Sequence, residues 1–308
     1  MNRQVFEPAY LALYRSGELR RRVAQAREHL HACDFCGHAC GVDRFRQVGQ
    51  CRTGVQAVVS SFGPHFGEEA PLRGTGGSGT IFFAWCNLRC QYCQNYDISQ
   101  LGQGQTVEAE TLAGMMLSLQ ERGCHNINLV SPTHVTVPIL EALLIAVESG
   151  LRLPLVWNTG GYDAMPALRL LDGIVDIYMP DMKYADSQIA RRYSQVDNYP
   201  QVNQAAVREM HRQVGDLVMD RRGIAMRGLL VRHLVLPAGL AGSDKIAAFL
   251  ATEISKDTYI NVMDQYRPCY RAHQLPPLDR PITSEEYAQA LSAARQAGLY
   301  RLDAFHFS

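Results

Sequence analysis

The sequence predicts an α/β fold in which short buried strands alternate with amphipathic helices. Six apolar runs have the length and composition of buried strands, and amphipathic runs of helical period separate them. Strands joined through helices form βαβ units, so we expect a parallel sheet that is covered on both faces. Eight such units close a complete barrel. Six therefore predict a partial (β/α)6 TIM-like barrel, preceded by a small N-terminal helical and cysteine-rich extension.

The elements are predicted from hydrophobic periodicity. The strands are Thr80–Trp85, Asn126–Val130, Pro154–Trp157, Ile174–Met179, Gly228–Leu236 and Tyr259–Met263. The helices are Phe6–His31, Val107–Glu121, Pro138–Glu148, Ala164–Leu171, Gln188–Tyr193, Gln204–Leu217, Lys245–Ile254 and Ser284–Ala297. Thr283 and Glu286 have the spacing of a capping box at the start of the last helix. A glycine-rich passage, Gly63–Gly79, predicts a boundary that separates residues 1–70 from a core domain of residues 71–308.

Composition bounds the possible partners and location of the protein. The chain has 308 residues, of which 47% are hydrophobic, with 30 Lys and Arg against 30 Asp and Glu. A balanced charge gives no reason to expect binding to nucleic acid or to an anionic membrane. The N-terminus lacks the apolar stretch of a signal peptide, and no apolar run is long enough to cross a bilayer. We therefore expect a cytoplasmic protein.

The first core strand runs directly into three closely spaced cysteines, Cys86, Cys90 and Cys93, with the spacing C-x3-C-x2-C. Structural zinc sites and ordinary [4Fe–4S] clusters each take four protein ligands. Three thiolates with no fourth nearby would leave one iron of a [4Fe–4S] cluster without a protein ligand, which is what a catalytic cluster needs. The alternatives are three buried structural cysteines, or zinc completed by a distant residue.

This motif, with Tyr92 as the aromatic residue before the last cysteine, resembles the signature of the radical S-adenosylmethionine (radical SAM) superfamily. The nearest likeness is to a branch related to the pyruvate formate-lyase activating enzymes, over about Gly74–Tyr270. The resemblance implies that the open iron chelates the amino and carboxylate groups of SAM. An electron from the reduced cluster would then break a carbon–sulfur bond, and a 5′-deoxyadenosyl radical would abstract hydrogen from a substrate.

The resemblance also implies partners and cofactor contacts. The partners would be a low-potential electron donor of the flavodoxin or ferredoxin type and an unidentified protein or small-molecule substrate. Polar groups at the carboxyl ends of the strands are the candidates for binding SAM. These candidates, with Tyr92 near the adenine, are Ser131, Thr133, His134, Asn158, Thr159, Asp181, Lys183 and Arg232.

These candidates match the family pattern unequally. Ser131, Thr133 and His134 stand where many members have a Gly-Gly-Glu type motif that meets the SAM amino group, and this sequence departs from it. Lys183 lies in an Asp-x-Lys segment like that of the activating enzymes and could pair with the SAM carboxylate. Arg232 alternates with leucines along a buried strand and so needs an anionic partner, either SAM or a protein carboxylate.

A second cysteine group precedes the core domain. Cys33, Cys36, Cys40 and Cys51 follow a C-x2-C-x3-C-x10-C spacing, with His38 as an alternative donor. In a reducing compartment such spacing indicates a metal rather than disulfides. Four thiolates can hold zinc or saturate a second iron–sulfur cluster, and spacing alone does not decide between them.

Two further functions compete with a radical enzyme. A non-catalytic iron–sulfur or zinc protein, acting as a redox sensor or cluster carrier, would need the cysteines but not the polar strand ends. A radical methylase would use further cysteines or cobalamin, and the sequence has no recognisable cobalamin-binding segment.

Overall fold

The structure, a computed structural model, describes residues 6–303. Its first helices are α1 (Tyr10–Arg15) and α2 (Glu18–Glu28). The sequence predicts one helix here, but Gly17 adopts a left-handed φ of +79° and separates the two. That conformation is readily available only to glycine and interrupts the helical hydrogen bonds. Buried residues of both helices join the main hydrophobic core, so the N-terminal segment packs directly on the core domain.

A nine-stranded sheet forms the centre of the molecule. Its strands are β1 (Ala57–His65), β2 (Ser78–Phe83), β3 (Gln105–Val107), β4 (Ile127–Val130), β5 (Leu155–Thr159), β6 (Ile177–Pro180), β7 (Val218–Met219), β8 (Ala225–Leu234) and β9 (Tyr259–Met263). Strands β2, β4, β5, β6, β8 and β9 are parallel and neighbour one another in chain order. Each of the six predicted strands overlaps one of them. The parallel α/β core is therefore confirmed.

The remaining helices flank this sheet. They are α3 (Ala70–Arg73), α4 (Tyr96–Ser99), α5 (Ala109–Glu121), α6 (Thr136–Glu148), α7 (Met165–Leu171), α8 (Ser187–Ser194), α9 (Tyr199–Val214), α10 (Ser243–Phe249) and α11 (Ser284–Ala297). A π-helical turn, Leu250–Ile254, continues α10. The predicted capping box is present, since Thr283 accepts from the Glu286 backbone and Glu286 reaches back to Thr283.

The edge strands lie outside the prediction. Strand β1 runs antiparallel to β2, and β3 runs antiparallel to β1. Because β1 lies within residues 1–70, the sheet continues across the predicted boundary at residue 70. Gly63 and Pro64 make β1 look like a loop in sequence. Proline is tolerated on strands near a sheet edge, where its missing N–H costs little.

The short helix α3 covers the other face of the sheet from the main core. Leu72 is fully buried there in a small cluster with Val156 of β5, Met179 of β6 and Leu230 of β8. Tyr259 of β9 belongs to the same cluster. Side chains from β5, β6, β8 and β9 therefore pack together with α3 in one inner layer. The closure of this sheet into a partial barrel stays a prediction.

Candidate functional site

A cavity of about 240 Å³ opens where the parallel strands end. Its wall contains residues that follow β2, β4, β5, β6, β8 and β9, as the rule for parallel sheets predicts. The predicted site residues that line it are Cys86, Cys90, Tyr92, Cys93, Ser131, Asn158, Thr159, Asp181, Lys183 and Arg232. Gln94, Asn95, Met263 and Gln265 also line it. The fold thus brings together residues that are up to 179 positions apart, from Cys86 to Gln265.

Each of the three cysteine sulfurs has a polar neighbour. The hydroxyl of Ser194 donates to Cys90 Sγ at 3.0 Å, and Ser99 Oγ lies 3.0 Å from Cys93 Sγ. The backbone N–H of Leu88 lies 3.4 Å from Cys86 Sγ. Such donors stabilise the thiolate form that a metal requires.

The cysteine loop is also held through its backbone. The Gln91 N–H donates to the Tyr193 carbonyl at 2.8 Å, and the Arg271 N–H donates to the Gln91 carbonyl at 2.9 Å. Trp85, just before the loop, has a φ of +66°, a conformation that is strained for a residue with a side chain. The loop is therefore tied through its backbone to two distant segments of the chain.

Burial favours the protonated thiols of Cys86 and Cys93. Desolvation raises the pKa of Cys86 to about 12, and the neighbouring Cys90 adds to the effect. The pKa of Cys93 is also raised, again mainly by desolvation. Metal binding must release these protons, so loading of the site is expected to be favoured at higher pH.

Opposite the cysteines lies a buried network of charges. Asp181 Oδ2 accepts from Lys183 Nζ at 2.6 Å, and Asp181 Oδ1 accepts from Arg232 Nε at 3.0 Å. Arg232 Nη2 also donates to Asn158 Oδ1 at 2.8 Å. Burial alone would raise the pKa of Asp181, but Arg232 and Lys183 outweigh it and hold that pKa below its usual value. Two cations against one carboxylate leave this wall with a net positive charge, which suits an anionic ligand.

The segment after β4 divides into a part that faces the cavity and a part that does not. Ser131 lines the cavity with a φ of +57°, and its N–H donates to the Asn158 carbonyl at 2.8 Å. Strained backbone of this kind is concentrated at functional sites. Thr133 instead donates to Asp163 at 2.8 Å, and His134 Nε2 lies 2.9 Å from the Ala84 carbonyl. Neither side chain lines the cavity, so the structure gives Thr133 and His134 supporting positions rather than a cofactor contact.

Asp163 organises the residues behind the β5 turn and was not singled out in the sequence. It is buried, and it accepts hydrogen bonds from Thr133, from Trp157 Nε1 at 3.1 Å and from Thr159 Oγ1 at 2.6 Å. Desolvation raises its pKa, although these donors oppose the shift. The sequence shows only an acidic residue four positions after the end of a strand. That pattern is weak evidence for a site residue unless the geometry of the turn is known.

Tyr92 belongs to a buried aromatic cluster beside the cysteine loop. Its ring makes edge contacts with Tyr184 and Tyr266, at centroid separations of 6.3 and 5.9 Å. Tyr92 therefore packs in the hydrophobic core and also borders the cavity. Its contact with the adenine of SAM stays a prediction.

The N-terminal cysteines form a second buried group. Cys33, Cys36 and Cys51 are buried, and desolvation raises the pKa of Cys36 to about 12. A Cβ placed on Gly49 would make ordinary contacts of 3.4 Å with Cys51 Sγ and 3.5 Å with Cys40 Sγ, so the Gly49 turn lies against both thiols. The guanidinium of Arg44 donates to Cys51 Sγ at 3.2 Å.

The two cysteine groups are in direct contact through their loops. His38 Nε2 lies 2.8 Å from the carbonyl of Asn87, the residue after Cys86. Arg89, between Cys86 and Cys90, donates to the carbonyl of Gln50 at 2.5 Å. One nitrogen of His38 is thus already in use, which weakens its role as an alternative metal donor.

All nine cysteines are free thiols in the structure. Across residues 6–303, no three Cys, His, Asp or Glu side chains converge as the ligands of one metal ion would. The thiolates of a [4Fe–4S] cluster bind different iron atoms, so they need not converge on one point.

A second cavity of about 270 Å³ adjoins the first and contains two acids that the sequence did not single out, Glu68 and Glu69. Both are buried between β1 and α3.

Among residues 6–303, no helix is long and apolar enough to span a bilayer.

Comparison with known proteins agrees with this geometry. A model described as the radical SAM superfamily matches residues 80–220. The uncharacterized protein MJ0674 of Methanocaldococcus jannaschii is 31% identical over 291 residues, covering 92% of this chain and 79% of that protein.

A solved structure shows a similar fold at low identity. A radical SAM methyltransferase from Sphaerobacter thermophilus superposes with a TM-score of 0.50 at 15% identity, over 71% of this chain. The chain spans 64% of that methyltransferase's length. SuiB of Streptococcus suis, bound to S-adenosylmethionine, superposes with a TM-score of 0.45 at 13% identity, over 73% of this chain and 50% of SuiB.

The matched segment begins at β2 and contains the cysteine loop together with the ends of β4, β5 and β6. A [4Fe–4S] cluster and SAM are the cofactors that this family implies. The chain belongs to the radical SAM superfamily.

Proposed function

We propose that the protein is a radical SAM enzyme of the oxidoreductase type, related to the pyruvate formate-lyase activating enzymes, which abstracts hydrogen from a protein or small-molecule substrate. One observation carries the proposal. Three cysteines that can hold a cluster and a buried, net positive wall built from the opposite strand ends line a single cavity. A redox sensor or cluster carrier has no use for that wall.

The residues present fit the implied cofactors. Cys86, Cys90 and Cys93 border the cavity and have polar groups at their sulfurs. They would hold three irons of a [4Fe–4S] cluster and leave the fourth without a protein ligand. When bound, the reduced cluster and SAM supply the electron and the 5′-deoxyadenosyl radical. The protein holds the two cofactors together and excludes water around them.

The charged wall supplies the contacts that orient SAM. Lys183 and Arg232 would attract its carboxylate, and Asp181 fixes both cations in place before binding. Asn158 and Thr159 offer an amide and a hydroxyl to the ribose. Of the three residues in the position of the Gly-Gly-Glu type motif, Ser131 is the one that borders the cavity, so we assign it to the amino end of SAM. Fixed dipoles and charges of this kind need no reorganisation during the reaction.

For Cys33, Cys36, Cys40 and Cys51 we propose a second metal site, holding zinc or an iron–sulfur cluster. The support is the burial of Cys33, Cys36 and Cys51 and the guanidinium of Arg44 at Cys51. Because the thiols do not converge on one point as zinc ligands would, a cluster suits them better than zinc. Four thiolates would saturate the metal, so the site would be structural or would relay electrons. The contacts of His38 and Arg89 support a position for this site beside the loop of Cys86, Cys90 and Cys93.

The reaction needs a low-potential electron donor, which we propose to be a flavodoxin or a ferredoxin in the cytoplasm. The net charge of the chain is zero, so overall charge favours neither nucleic acid nor an anionic membrane as a partner.

The test is reductive cleavage of SAM. The protein is reconstituted anaerobically with iron and sulfide, reduced and mixed with SAM, and 5′-deoxyadenosine is quantified. We expect product from the wild type and none from Cys86→Ala. Cys124→Ala is the matched control, because Cys124 is a buried cysteine outside the cavity lining. A protein with a full [4Fe–4S] complement that yields no 5′-deoxyadenosine contradicts the proposal.

A further inference from the structure

The acids Glu68 and Glu69 form the floor of the second cavity. They lie in the short connection between β1 and α3, and each is less than one-tenth exposed. The backbone carbonyl of Glu69 accepts from the N–H groups of Leu72 and Arg73, and Leu72 is anchored in the inner layer of the sheet. The position of the two carboxyl groups is therefore set by the fold.

These acids are only partly partnered, because Glu68 interacts with Asn128, Glu69 and Arg232 while one oxygen of Glu69 has no hydrogen-bond partner. Glu69 Oε1 accepts from Asn261 at 3.0 Å, but Glu69 Oε2 is buried and has no hydrogen-bond partner. The imidazole Nδ1 of His65, a half-exposed side chain, lies 3.7 Å from Glu68 Oε1. Arg232 also lines the cavity, but its Nε and Nη2 are directed at Asp181 and Asn158. A buried carboxylate without a paired charge is costly, so the arrangement favours a cationic ligand.

The protonation of Glu68 agrees with this view. Burial raises its pKa to about 8, and repulsion from Glu69 adds to the shift. Attraction to Arg232 and a hydrogen bond with Asn128 oppose the shift without cancelling it, so Glu68 holds its proton more tightly than an exposed glutamate does. A cation beside it would stabilise the charged form and remove the repulsion.

The second cavity is continuous with the predicted place of the cofactors. It shares six lining residues with the first cavity: Asn95, Val130, Asn158, Arg232, Met263 and Gln265. Phe82, Val130 and Met263 give the second cavity apolar surface, and Val130 and Met263 also line the first cavity. A ligand with a charged head and an apolar stem would match the acidic and the apolar parts of this cavity.

We propose that the second cavity binds the substrate by a cationic group, an ammonium or a guanidinium, held by Glu69 and Glu68. The inference rests on the proposed function, since it names the class of substrate that the radical would attack. The charged head would lie on the acidic floor, and the stem would direct the reacting carbon through the shared wall toward SAM.

The test measures binding without SAM or reductant, so its outcome is independent of SAM cleavage. The reconstituted protein is titrated with n-butylammonium chloride, with n-butanol and sodium butyrate as neutral and anionic probes, and saturation-transfer NMR reports binding. We expect n-butylammonium to bind, the two other probes to bind at least fivefold more weakly, and Glu69→Gln to weaken n-butylammonium at least fivefold. Glu68→Gln should act in the same direction, while Glu110→Gln, on the exposed face of α5, should bind like the wild type.

Three results would overturn the inference. The first is that butyrate binds as tightly as n-butylammonium. The second is that n-butylammonium binds the folded Glu68→Gln and Glu69→Gln variants as tightly as the wild type. The third is that an equal concentration of potassium chloride displaces n-butylammonium. The last result would identify a site for an inorganic cation instead. Near-ultraviolet circular dichroism checks that each variant is folded, and either Glu68→Gln or Glu69→Gln alone suffices for the test.

Discussion

Asp181 and Arg232 are joined twice, by a backbone bridge between their strands and by a 3.0 Å ion pair between Asp181 Oδ1 and Arg232 Nε. The bridge is part of the parallel sheet, and the ion pair faces the cavity. The same pairing that builds the fold therefore sets the position of the charges that we assign to SAM. Lys183 shares the carboxylate from the other side.

Replacing Asp181 should damage both stability and cofactor binding. Asp181→Asn leaves two buried cations without their carboxylate, and breaking a buried pair of this kind costs about 3–5 kcal/mol. We expect that loss in the free energy of unfolding, together with weaker SAM binding by isothermal titration. Asp172→Asn, which removes an exposed ion pair with Arg212, should cost about 0–1 kcal/mol. Equal stability of the two variants would contradict the assigned role of Asp181.

Asp163 should act through its hydrogen bonds rather than its charge. Asp163→Leu leaves Thr133, Thr159 and the Trp157 indole without their acceptor, at about 1–3 kcal/mol for each buried donor. Asp163→Asn keeps an acceptor oxygen and offers an N–H to the Thr159 hydroxyl, so we expect it to cost clearly less. Chemical unfolding of the two variants measures the difference, and a similar loss in both would show that charge dominates.

Asp176 predicts a pH dependence of stability. Its carboxylate accepts from the backbone N–H groups of Ala9 and Leu155, yet burial raises its pKa to about 7. A carboxyl group whose folded pKa is raised contributes stability that is complete below its unfolded pKa, about 3.9, and is lost as pH rises through 7. Asp176→Asn removes this titration. The melting temperature of the wild type should therefore fall more between pH 5 and pH 7.5 than that of Asp176→Asn, and parallel profiles would contradict the assignment.

Metal analysis separates the two cysteine groups. Elemental analysis of the reconstituted Cys36→Ser variant should show the loss of one metal complement, with the iron of the Cys86 loop retained. Cys90→Ser should do the reverse. If the N-terminal group holds zinc, Cys36→Ser loses zinc alone, and if it holds a cluster, iron falls by about half. Unchanged iron and zinc in Cys36→Ser would contradict a metal at the N-terminal group.

The sequence predicts the parallel core well because buried strands are short apolar runs whose ends fall at polar or glycine residues. Strand β9 has the predicted bounds, Tyr259–Met263, and α11 begins at the predicted capping box. Strand β1 was missed because it contains Gly63 and Pro64 and pairs at the edge region of the sheet. Its stability comes from long-range pairing, which local pattern does not reveal.

The same distinction holds for the site. Cysteine spacing and strand ends identify Cys86, Asn158, Asp181 and Arg232, because the topology of a parallel sheet dictates where such residues meet. Glu69 could not be identified in this way. It reaches the cavity because Leu72 inserts into the inner layer of the sheet, and only the tertiary structure shows that packing.

The open iron of the cluster is the central claim, and electron paramagnetic resonance of the reduced, reconstituted protein tests it most directly. The Cys36→Ser variant is used so that the signal comes from the Cys86, Cys90 and Cys93 cluster alone. Addition of SAM should change the spectrum, because the cofactor binds the iron that has no protein ligand. A spectrum that is the same with and without saturating SAM would contradict the account.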